Sequence, residues 1–484
     1  MNTVPRVAIL GGGISGLALA HRLCELKIES KLSFEILLLE ASSRLGGTIE
    51  SEKRDGFLLE GGPDSFISVK PAALNLCKRL GIEQELIGTQ EKNRGSFIVK
   101  GKRLIPLPGN FYMIAPMDAV AFLQSDLLSI PGKLRAICET VIPPRKNDSD
   151  ESVASFIRRR FGSEMLERVG QPMFAGVYTG DPEELGILAT MPRFRMLEKK
   201  YGSVIRGLRS DLKNKKDAFN AARGPRYSLF MSFKDGMETL TKKLSQKIPA
   251  ASIRLDSRIK KLSYDEPHGR WQLTDSLEGK IDADIVVSTL PAQVTASLFE
   301  GTQNALCELL NKISCESVAT VNFGYRRSDI GHALNGFGFV VPKVENNSLI
   351  ACSFSSEKFE NRAPKDFVLL RAFAGGVFGK NYFNLQDTEL VQTAEKDLAE
   401  LLKIRSRPVF SSLKRYPDSM IQYCVGHLDL LLKIDNENNK LKNLFLTGSS
   451  YRGVGIPDCI EDAERQAEKI CEQLISSNRC EAKS

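Results

Sequence analysis

The stretch Gly11-Gly12-Gly13-Ile14-Ser15-Gly16 near the start of the chain decides the fold. The apolar run Val7–Leu10 before it is typical of a buried parallel strand, and apolar residues at helical spacing follow it. Glycines between a strand and a helix allow a tight turn, close approach of a phosphate and close packing of the helix on the strand. The first N–H groups of such a helix can bind phosphate. The pattern predicts a dinucleotide-binding unit.

A second apolar run, Ile36–Leu39, ends in Glu40, which lies 24 positions after Gly16. This spacing is close to the one at which a carboxylate binds ribose hydroxyls in dinucleotide folds. The following residues complete the pattern E-x3-R-x-G-G, which is more similar to FAD-binding amine-oxidase-like proteins than to NAD dehydrogenases. The sequence therefore favours FAD as the cofactor. A plain NAD site and an empty Rossmann-like scaffold are the alternatives.

Length and composition indicate a globular protein of more than one domain. The 484 residues exceed a single core of usual size, and 42% hydrophobic with 26% charged residues is ordinary for globular chains. The net charge of +8 is modest, and no basic block interleaved with aromatic residues suggests nucleic acid. Ten cysteines without a CxxC pair, together with four histidines, argue against a metal site and fit a reducing cytosol. We expect a cytoplasmic protein.

Three kinds of pattern along the chain predict an α/β fold, α+β overall. Apolar strands that alternate with helices predict a Rossmann-like FAD-binding domain, and proline-separated helices predict a helical lobe. Aromatic strands predict a sheet-based substrate domain. The predicted ranges are 1–90, 228–295 and 440–484 for the discontinuous FAD-binding domain, 95–200 for the helical lobe, and 201–227 and 296–439 for the substrate-binding domain.

The predicted helical lobe begins with the uncharged run Leu104–Met117, which contains three prolines. Ala119–Leu128 and Leu134–Val141 are apolar segments with helical spacing, but no uncharged apolar run reaches the ~18 residues of a spanning helix. We expect this lobe to contact a membrane peripherally or to line a substrate channel. A small helical core of its own is the alternative. Farther along, Arg158–Arg160 are predicted to form the solvent-exposed face of the helix Ser152–Phe161.

Two more glycine-rich turns are candidates for holding a flavin. Gly56–Asp64 is typical of a strand followed by a turn, which can pass under a flavin ring or can be a plain hairpin turn. Near the C-terminus, Asn443–Gly448 is typical of a strand, and Ser449–Pro457 forms a glycine-rich loop before a helix. The N-terminus of that helix can stabilise negative charge on a reduced flavin. Both ends of the chain are therefore expected to hold the cofactor.

With these stretches placed, the chain resembles the FAD-dependent protoporphyrinogen oxidase family over nearly its whole length. GGGISGLA, LLEASSRLGG and DIVVSTLPA are shared with many amine-oxidase-like flavoproteins. ESVASFIRRRFG, QPMFAGVYTGDPEEL and TGSSYRGVGIPDCIEDA are more specific to this family, and SLFMSFKDGMETL matches as well. The resemblance implies an FAD domain, a sheet-based substrate domain and a helical membrane-associated lobe.

The resemblance also implies the residues of two sites. The FAD contacts that it implies are Gly11, Gly12, Gly13, Ile14, Ser15, Gly16, Glu40, Ala41, Arg44, Thr48, Gly62, Pro63, Asp64, Ser65, Ile259, Gly448, Ser449, Val454, Gly455 and Ile456. Phe373 and Val340 are implied to contact the substrate, whereas a second aliphatic position of the family holds Ser353. Arg94 is the nearest candidate for binding a propionate, since a buried carboxylate needs a partner. No histidine or cysteine pattern indicates a protein nucleophile, and a general base stays unassigned.

Phe373 lies at the end of a predicted strand, directly before Ala374-Gly375-Gly376. Side chains alternate along a strand, so Phe367, Leu369 and Arg371 share its face. At this position Phe373 can project into a cleft beside the flavin. A core phenylalanine between sheet and helix is the alternative.

The function implied by the resemblance is the six-electron oxidation of protoporphyrinogen IX to protoporphyrin IX in heme biosynthesis, with oxygen as acceptor and hydrogen peroxide as product. Coproporphyrinogen III is the alternative substrate within the family. More distant alternatives are another amine-oxidase-like flavoenzyme, a carotenoid desaturase and a non-enzymatic lipid-binding escort protein. The resemblance also admits a homodimer and peripheral attachment to the inner face of the cell membrane.

Overall fold

A parallel five-stranded sheet carries both ends of the chain. The structure is a computed structural model that describes residues 4–93, 95–109, 111–211, 228–299 and 301–481. The strands of this sheet, in spatial order, are Ile253–Arg254, Glu35–Leu39, Arg6–Leu10, Ile285–Ser288 and Leu444–Leu446. Every neighbouring pair is parallel. The first strand of the chain is therefore central, between strands that come from near residues 35 and 285.

Both faces of this sheet are buried, which explains its continuous apolar strands. On one face, Val7, Ile9 and Ile285 pack in a core built mainly from four helices, which are Ile14–Ser30, Ala72–Arg79, Glu238–Lys247 and Ile456–Glu481. On the other face, Ala8 and Leu10 pack in a second core. Its further elements are the antiparallel strands Ile259–Asp265, Arg270–Asp275 and Lys280–Ala283 and the helices Ala292–Ser297, Asn304–Leu310 and His427–Asn438.

Two small sheets lie beside this unit. The hairpin Ser51–Arg54 and Phe57–Glu60 forms one of them. The other contains Phe66–Ile67, Phe230–Phe233 and Leu86–Gly88 in antiparallel order. The short turn between Glu60 and Phe66 therefore connects two different sheets.

A seven-stranded sheet forms the second large unit. Its strands, in spatial order, are Phe410–Ile421, Cys315–Arg326, Phe367–Gly375, Leu349–Phe354, Gly338–Val340, Phe97–Lys100 and Arg103–Pro106. All neighbours are antiparallel except Gly338–Val340 and Phe97–Lys100. One face packs on the helix Asp387–Leu402, and two short helices, Ser355–Lys358 and Lys380–Phe383, lie between its strands in sequence. The first two of its strands in the chain fall inside the range predicted for the helical lobe, so the sheet is larger than expected, while the division into three domains stays a prediction.

A helical lobe with its own core lies between residues 111 and 211. Phe122, Phe156, Phe174 and Phe194 are fully buried in that core. Its helices include Ala119–Gln124, Ile130–Ile137, Val153–Phe161, Ser163–Met165, Gln171–Tyr178, Ile187–Thr190 and Pro192–Tyr201, with a π-helical turn at Leu166–Gly170 and a hairpin of Phe111–Tyr112 with Ala115–Pro116. The lobe therefore has the small helical core that the sequence predicts as the alternative to a membrane contact or a substrate channel. No helix in the described part of the chain has the length and apolar character needed to cross a membrane.

The three consecutive arginines of the helix Val153–Phe161 do not share a solvent-exposed face, so this prediction is wrong for two of them. Arg160 is fully buried and donates from Nε to Oε1 of Glu139 at 2.9 Å. Arg159 pairs with Glu151 and Glu198, and Arg158 alone is largely exposed. Consecutive residues on an α-helix point about 100° apart, so three in a row cannot face the same side. The helical lobe is held together by buried ion pairs as well as by apolar packing.

Replacing Arg160 with methionine should destabilise the protein by about 3–5 kcal/mol, because Glu139 then stays buried without its cation. Glu139 also accepts bonds from Ser203 Oγ and Val204 N, which hold the last part of the lobe in place. Urea unfolding followed by circular dichroism measures the loss. Arg158→Met is the matched control and should change the free energy of unfolding by less than about 1 kcal/mol. Equal effects of the two substitutions would contradict a structural role for the buried pair.

Candidate functional site

The carboxyl ends of three neighbouring strands meet at Gly11, Thr289 and Gly448. Gly11 has φ +103°, and a Cβ there would lie 2.8 Å from Thr289 Oγ1. Gly448 has φ +114°, and its Cβ would lie 3.2 Å from Thr289 O and 3.7 Å from Ser15 Oγ. Glycine is needed at both positions because L side chains rarely adopt these backbone angles. Ligands of open α/β sheets bind at this edge, where the strands end.

Gly13 and Gly16 have opposite surroundings, and the difference defines a cradle. A Cβ on Gly16 would lie 1.9 Å from Gly11 O, so glycine there lets the helix pack on the strand. A Cβ on Gly13 would meet no atom of the described residues within 4 Å, and its φ of −72° suits any residue. No side chain caps the helix that begins at Ile14. The open space in front of this uncapped helix N-terminus fits a pyrophosphate, as FAD requires.

Glu40 directly follows the strand Glu35–Leu39 and faces this cradle. Its Oε2 accepts from Gly12 N at 2.6 Å, and its Oε1 accepts from Ser42 N at 2.8 Å and from Ser42 Oγ at 2.7 Å. Each carboxylate oxygen can accept two bonds, so Oε2 retains capacity for a ribose hydroxyl. The next residue, Ala41, is exposed. This arrangement agrees with the predicted ribose contact, which stays a prediction.

The loop after Glu40 is closed by Arg44. Its Nη1 donates to Leu45 O at 3.1 Å and Ile49 O at 3.2 Å, so the guanidinium organises its own loop. Thr48 in this loop is exposed, and its carbonyl would lie 1.8 Å from a Cβ on Gly62. The structure thus brings the predicted FAD segment that contains Thr48 into contact with the one that contains Gly62.

Residues 61–65, which we call the cofactor turn, join two sheets, so the interpretation as a plain hairpin turn is wrong. Asp64 in this turn accepts from Lys358 Nζ at 2.9 Å through both of its oxygens and from Ser65 Oγ at 2.7 Å. Burial alone would raise the pKa of Asp64, but Lys358 and Arg371 outweigh it and lower that pKa to about 2. Asp64 is therefore ionised at neutral pH. Its neighbour Pro63 is half-buried.

The C-terminal loop is fixed by Tyr423, which the sequence reasoning missed. Its hydroxyl donates to Ser449 O at 2.7 Å and accepts from Gly453 N at 2.7 Å. Val454 and Gly455 follow this loop. The last helix begins at Ile456, and Asp458 is the acidic residue of its first turn. Tyr423 lies just after an edge strand of the other sheet, and nothing in the local sequence marks it. The loop is positioned by a residue far from it in the chain.

Ile259, a further predicted FAD contact, starts a strand close to Glu40. Glu40 N donates to Arg254 O at 2.9 Å, and Ser257 N donates to Glu40 O at 2.8 Å. Ile259 itself is half-buried and packs against the core under the meander. The structure therefore brings the segment near the predicted ribose contact and leaves the side-chain contact a prediction.

The predicted substrate residues Phe373 and Val340 lie in one row across the seven-stranded sheet. Phe373 is opposite Thr320 and Ala351, and Ala351 is opposite Val340. Phe373, Ala351 and Val340 are half-buried, whereas their strand neighbours on the other face are buried in the core. Phe373 is therefore not a core residue of this sheet. Ser353 lies on the same face opposite Arg371, and Arg94 lies outside the described residues.

The row of residues faces the cofactor turn. Arg371, two residues before Phe373 on the same strand face, donates from Nη2 to Gly61 O at 2.7 Å and to Gly62 O. At the other end of the row, a Cβ on Gly176 of the helical lobe would lie 3.3 Å from Val340 Cγ1. The half-buried face thus extends from the predicted flavin-binding turn to the helical lobe.

Glu60, which directly precedes the cofactor turn, is almost fully buried. Its Oε2 accepts from Ser51 Oγ at 2.6 Å and its Oε1 from Met237 N at 2.9 Å. Burial raises the pKa of Glu60 to about 7, against the opposing effects of Ser51 and Arg362. Glu60 therefore changes its charge near neutral pH, beside the turn.

Substituting Gly13 with valine should abolish FAD binding without preventing folding, because the added side chain occupies open space that the pyrophosphate needs. We expect an affinity at least 100-fold lower, or about 3 kcal/mol, in a titration of the apoprotein with FAD. The melting temperature of the apoprotein should stay near that of the wild type. Gly16→Val is the contrasting variant and should fail to fold, because its side chain collides with Gly11 O. A stoichiometric flavin spectrum from Gly13→Val would refute the cradle.

Replacing Glu60 with glutamine should remove a pH dependence of stability. A carboxyl group whose pKa is higher in the folded state than in the unfolded chain stabilises the fold when protonated, and this contribution is lost as the pH rises toward 7. The wild type should lose roughly 2–3 kcal/mol more than Glu60→Gln between pH 5 and pH 8. Urea unfolding of both proteins at the two pH values measures the difference. Parallel pH profiles would show that Glu60 ionises normally.

Comparison with known proteins agrees with this geometry. Residues 14–471 match the family model of the flavin containing amine oxidoreductases. Coproporphyrinogen III oxidase of Bacillus subtilis (strain 168) is 30% identical over 97% of this chain and 98% of its own length. The chloroplastic protoporphyrinogen oxidase of Nicotiana tabacum is 30% identical over 96% of this chain and 84% of its own length.

Solved structures show the same fold. A crystal structure from Exiguobacterium sp. 255-15, provisionally named protoporphyrinogen oxidase, has a TM-score of 0.84 at 29% identity and covers 97% of this chain and 99% of its own. Reduced UDP-galactopyranose mutase has a TM-score of 0.71 at 14% identity, covering 97% of this chain and 94% of its own, and shows the fold alone. These matches confirm the predicted α/β fold and FAD as the cofactor. The chain belongs to the protoporphyrinogen oxidase family of flavin-containing amine oxidoreductases and is an FAD-dependent oxidoreductase.

Proposed function

We propose that this enzyme oxidises a porphyrinogen to the corresponding porphyrin in heme biosynthesis. The observation that carries the proposal is the half-buried row of Phe373, Ala351 and Val340, which begins beside the cofactor turn. A flat row with an aromatic ring at the cofactor end suits a flat apolar macrocycle. The names of the relatives, which are coproporphyrinogen III oxidase and protoporphyrinogen oxidase, support the same substrate class.

Bound FAD supplies two-electron redox chemistry, so the removal of six electrons from a porphyrinogen takes three turnovers. With oxygen as the proposed acceptor, each porphyrin formed accompanies three molecules of hydrogen peroxide. The chain itself would bind and orient the macrocycle on Phe373 and Val340 and keep Asp64 ionised through Lys358. A general base for the pyrrole protons stays unassigned.

The choice between the two substrates is open to direct test. Protoporphyrinogen IX is the first expectation from the sequence, but the Bacillus coproporphyrinogen III oxidase is matched over 98% of its length and the tobacco protoporphyrinogen oxidase over 84%. A second coproporphyrinogen III oxidase, from Staphylococcus aureus, is also 30% identical and matched over 99% of its length. We therefore propose coproporphyrinogen III as the first substrate to assay, with protoporphyrinogen IX as the second candidate.

Oxygen uptake and porphyrin fluorescence should be measured for FAD-loaded enzyme with each porphyrinogen. The preferred substrate should give at least tenfold higher kcat/KM, which corresponds to about 1.4 kcal/mol. Gly13→Val protein, which should lack FAD, is the control for spontaneous oxidation. Absence of porphyrin above that control with both substrates would overturn the proposed function.

Replacing Phe373 with alanine should raise KM for the porphyrinogen about tenfold, in keeping with ~1–3 kcal/mol of burial and stacking, and should leave flavin content unchanged. Phe367→Ala is the matched control, because Phe367 shares the strand face and packs against Phe57 at 5.8 Å between ring centres. That variant should lower the melting temperature and leave KM unchanged. An early-melting Phe373→Ala protein with normal KM would place Phe373 in the core.

We also propose that the protein is cytoplasmic and attaches peripherally to the inner face of the cell membrane through the helical lobe. Five apolar residues between positions 120 and 141 of the lobe are between 43% and 72% exposed, and they are Val120, Leu123, Ile130, Leu134 and Val141. Such a cluster on short helices suits insertion into a lipid interface. A homodimer stays a prediction.

Liposome flotation at low and high salt tests the attachment. The double variant Ile130→Lys, Leu134→Lys should reduce the floated fraction at least fivefold, since charges oppose burial in lipid. Leu277→Lys is the control, because Leu277 is 86% exposed on a distant turn of the meander. If the wild-type protein stays in solution under both conditions, the proposed attachment is wrong. The lobe then lines a substrate channel or is only a helical core.

A further inference from the structure

Arg371 lies where the cofactor turn meets the seven-stranded sheet. Its side chain is 3% exposed, and Nη2 donates to the consecutive carbonyls of Gly61 and Gly62. Its Cζ lies 4.8 Å from the centre of the Phe373 ring. One buried guanidinium therefore contacts both the predicted flavin-binding turn and the predicted substrate aromatic. The contact with Phe373 follows from the alternation of side chains along the strand, whereas the bonds to the turn could not be expected from the local sequence.

The charges around Arg371 are not balanced by a direct ion pair. The charged groups at this junction are the buried Arg362, Arg371 and Glu60 and the half-buried pair of Lys358 and Asp64, which makes three cations and two carboxylates. Asp64 forms an ion pair with Lys358, and Glu60 Oε1 lies 3.9 Å from Arg362 Nη2. Among the residues that the structure describes, no carboxylate oxygen lies within 4.0 Å of the Arg371 guanidinium, and its buried Nε has no hydrogen-bond partner. A buried cation without a paired carboxylate is costly to the fold.

The shape of the arginine side chain matters as much as its charge. A guanidinium presents its donors in a rigid planar fork, whereas an ammonium group is a point charge on a flexible stem. The fit of the turn is close, because a Cβ on Gly61 would lie 2.9 Å from Tyr416 Oη. Thr320 Oγ1 and Asn322 Nδ2 of the neighbouring strand also donate, at 3.4 and 3.3 Å, to Gly61 O and Glu60 O. Arg371 is the charged member of a set of donors that holds this turn on the sheet.

We propose that Arg371 is a positioning residue of the redox site, which fixes the Gly61–Gly62 turn and places a positive charge that favours the reduced form of bound FAD. Two-electron reduction makes a flavin more negative, and a fixed cation in a poorly hydrated site stabilises that change. The inference rests on the assignment of residues 62–65 to FAD. Its contact with Phe373 matters for catalysis only if the proposed function holds.

The test compares FAD-loaded Arg371→Met, Arg371→Lys and Arg362→Met. The midpoint potential of bound FAD is measured by equilibration with a reference dye, without any porphyrinogen. Arg371→Met should lower the equilibrium constant for flavin reduction at least tenfold, or about 30 mV for two electrons. Arg371→Lys should keep a potential near that of the wild type but bind FAD more weakly, because an ammonium group on a flexible stem holds the two carbonyls less rigidly than the planar guanidinium.

Arg362→Met is the matched control, since Arg362 is equally buried but donates to Ser232 Oγ and Phe233 O, away from Phe373. It should destabilise the protein and leave the potential unchanged. An unchanged potential in Arg371→Met, or an equal shift in Arg362→Met, would overturn the proposal. If Arg371→Met is colourless, a wild-type potential in Arg371→Lys supports it and a tenfold weaker reduction in that variant overturns it. Because no porphyrinogen is present, the result does not depend on the proposed function.

Discussion

The contact between Gly16 and the carbonyl of Gly11 is the constraint on which the cofactor-binding unit depends. A methyl group at position 16 would lie 1.9 Å from that oxygen, so the first helix can lie this close to the first strand only with glycine. The close packing places the start of the helix at the edge where Gly11, Thr289 and Gly448 meet. It also leaves the space in front of Gly13 open. The cradle is thus a consequence of backbone packing, and side chains such as Glu40 are added around it.

The seven-stranded sheet is joined to this cradle by largely buried polar contacts. These contacts fix the position of the sheet relative to the cradle more closely than an apolar interface would. Lys358 and Arg371 come from the seven-stranded sheet and its connecting helix, and they bind Asp64 and the carbonyls of the cofactor turn. Hydrogen bonds to charged groups are directional, so they fix the distance between the turn and Phe373. The close apposition of predicted cofactor and substrate groups therefore rests on a few long side chains. Such a junction is stable only while every one of its members keeps its partner.

The parts of the molecule that could be predicted from the sequence are those with local causes. Glycine spacing, the apolar runs around it and the acidic residue after the second strand depend on neighbours in the chain, and the parallel sheet has these features where expected. Burial of Arg160, the role of Tyr423 and the bonds of Arg371 to the cofactor turn depend on partners at least 17 residues away, and no local pattern encodes them. The hairpin of Phe97–Lys100 and Arg103–Pro106 was assigned to the helical lobe for a similar reason, since it joins the large sheet through the distant strand Gly338–Val340. The resemblance supplied Phe373 and Val340, and the register of the sheet explains why they lie together.

The order of strands in the parallel sheet has a consequence for protein synthesis. Among the strands of this sheet Arg6–Leu10 is synthesised first and is central, and its neighbour Ile285–Ser288 pairs in turn with Leu444–Leu446. The helix Ile456–Glu481 packs on the helix Ile14–Ser30, so the cofactor-binding core lacks one wall until residues 456–481 have left the ribosome. An unfinished sheet exposes an apolar edge that can pair with other chains. We expect the nascent protein to depend on chaperones for most of its synthesis, and cofactor loading to be one of the last events in its maturation.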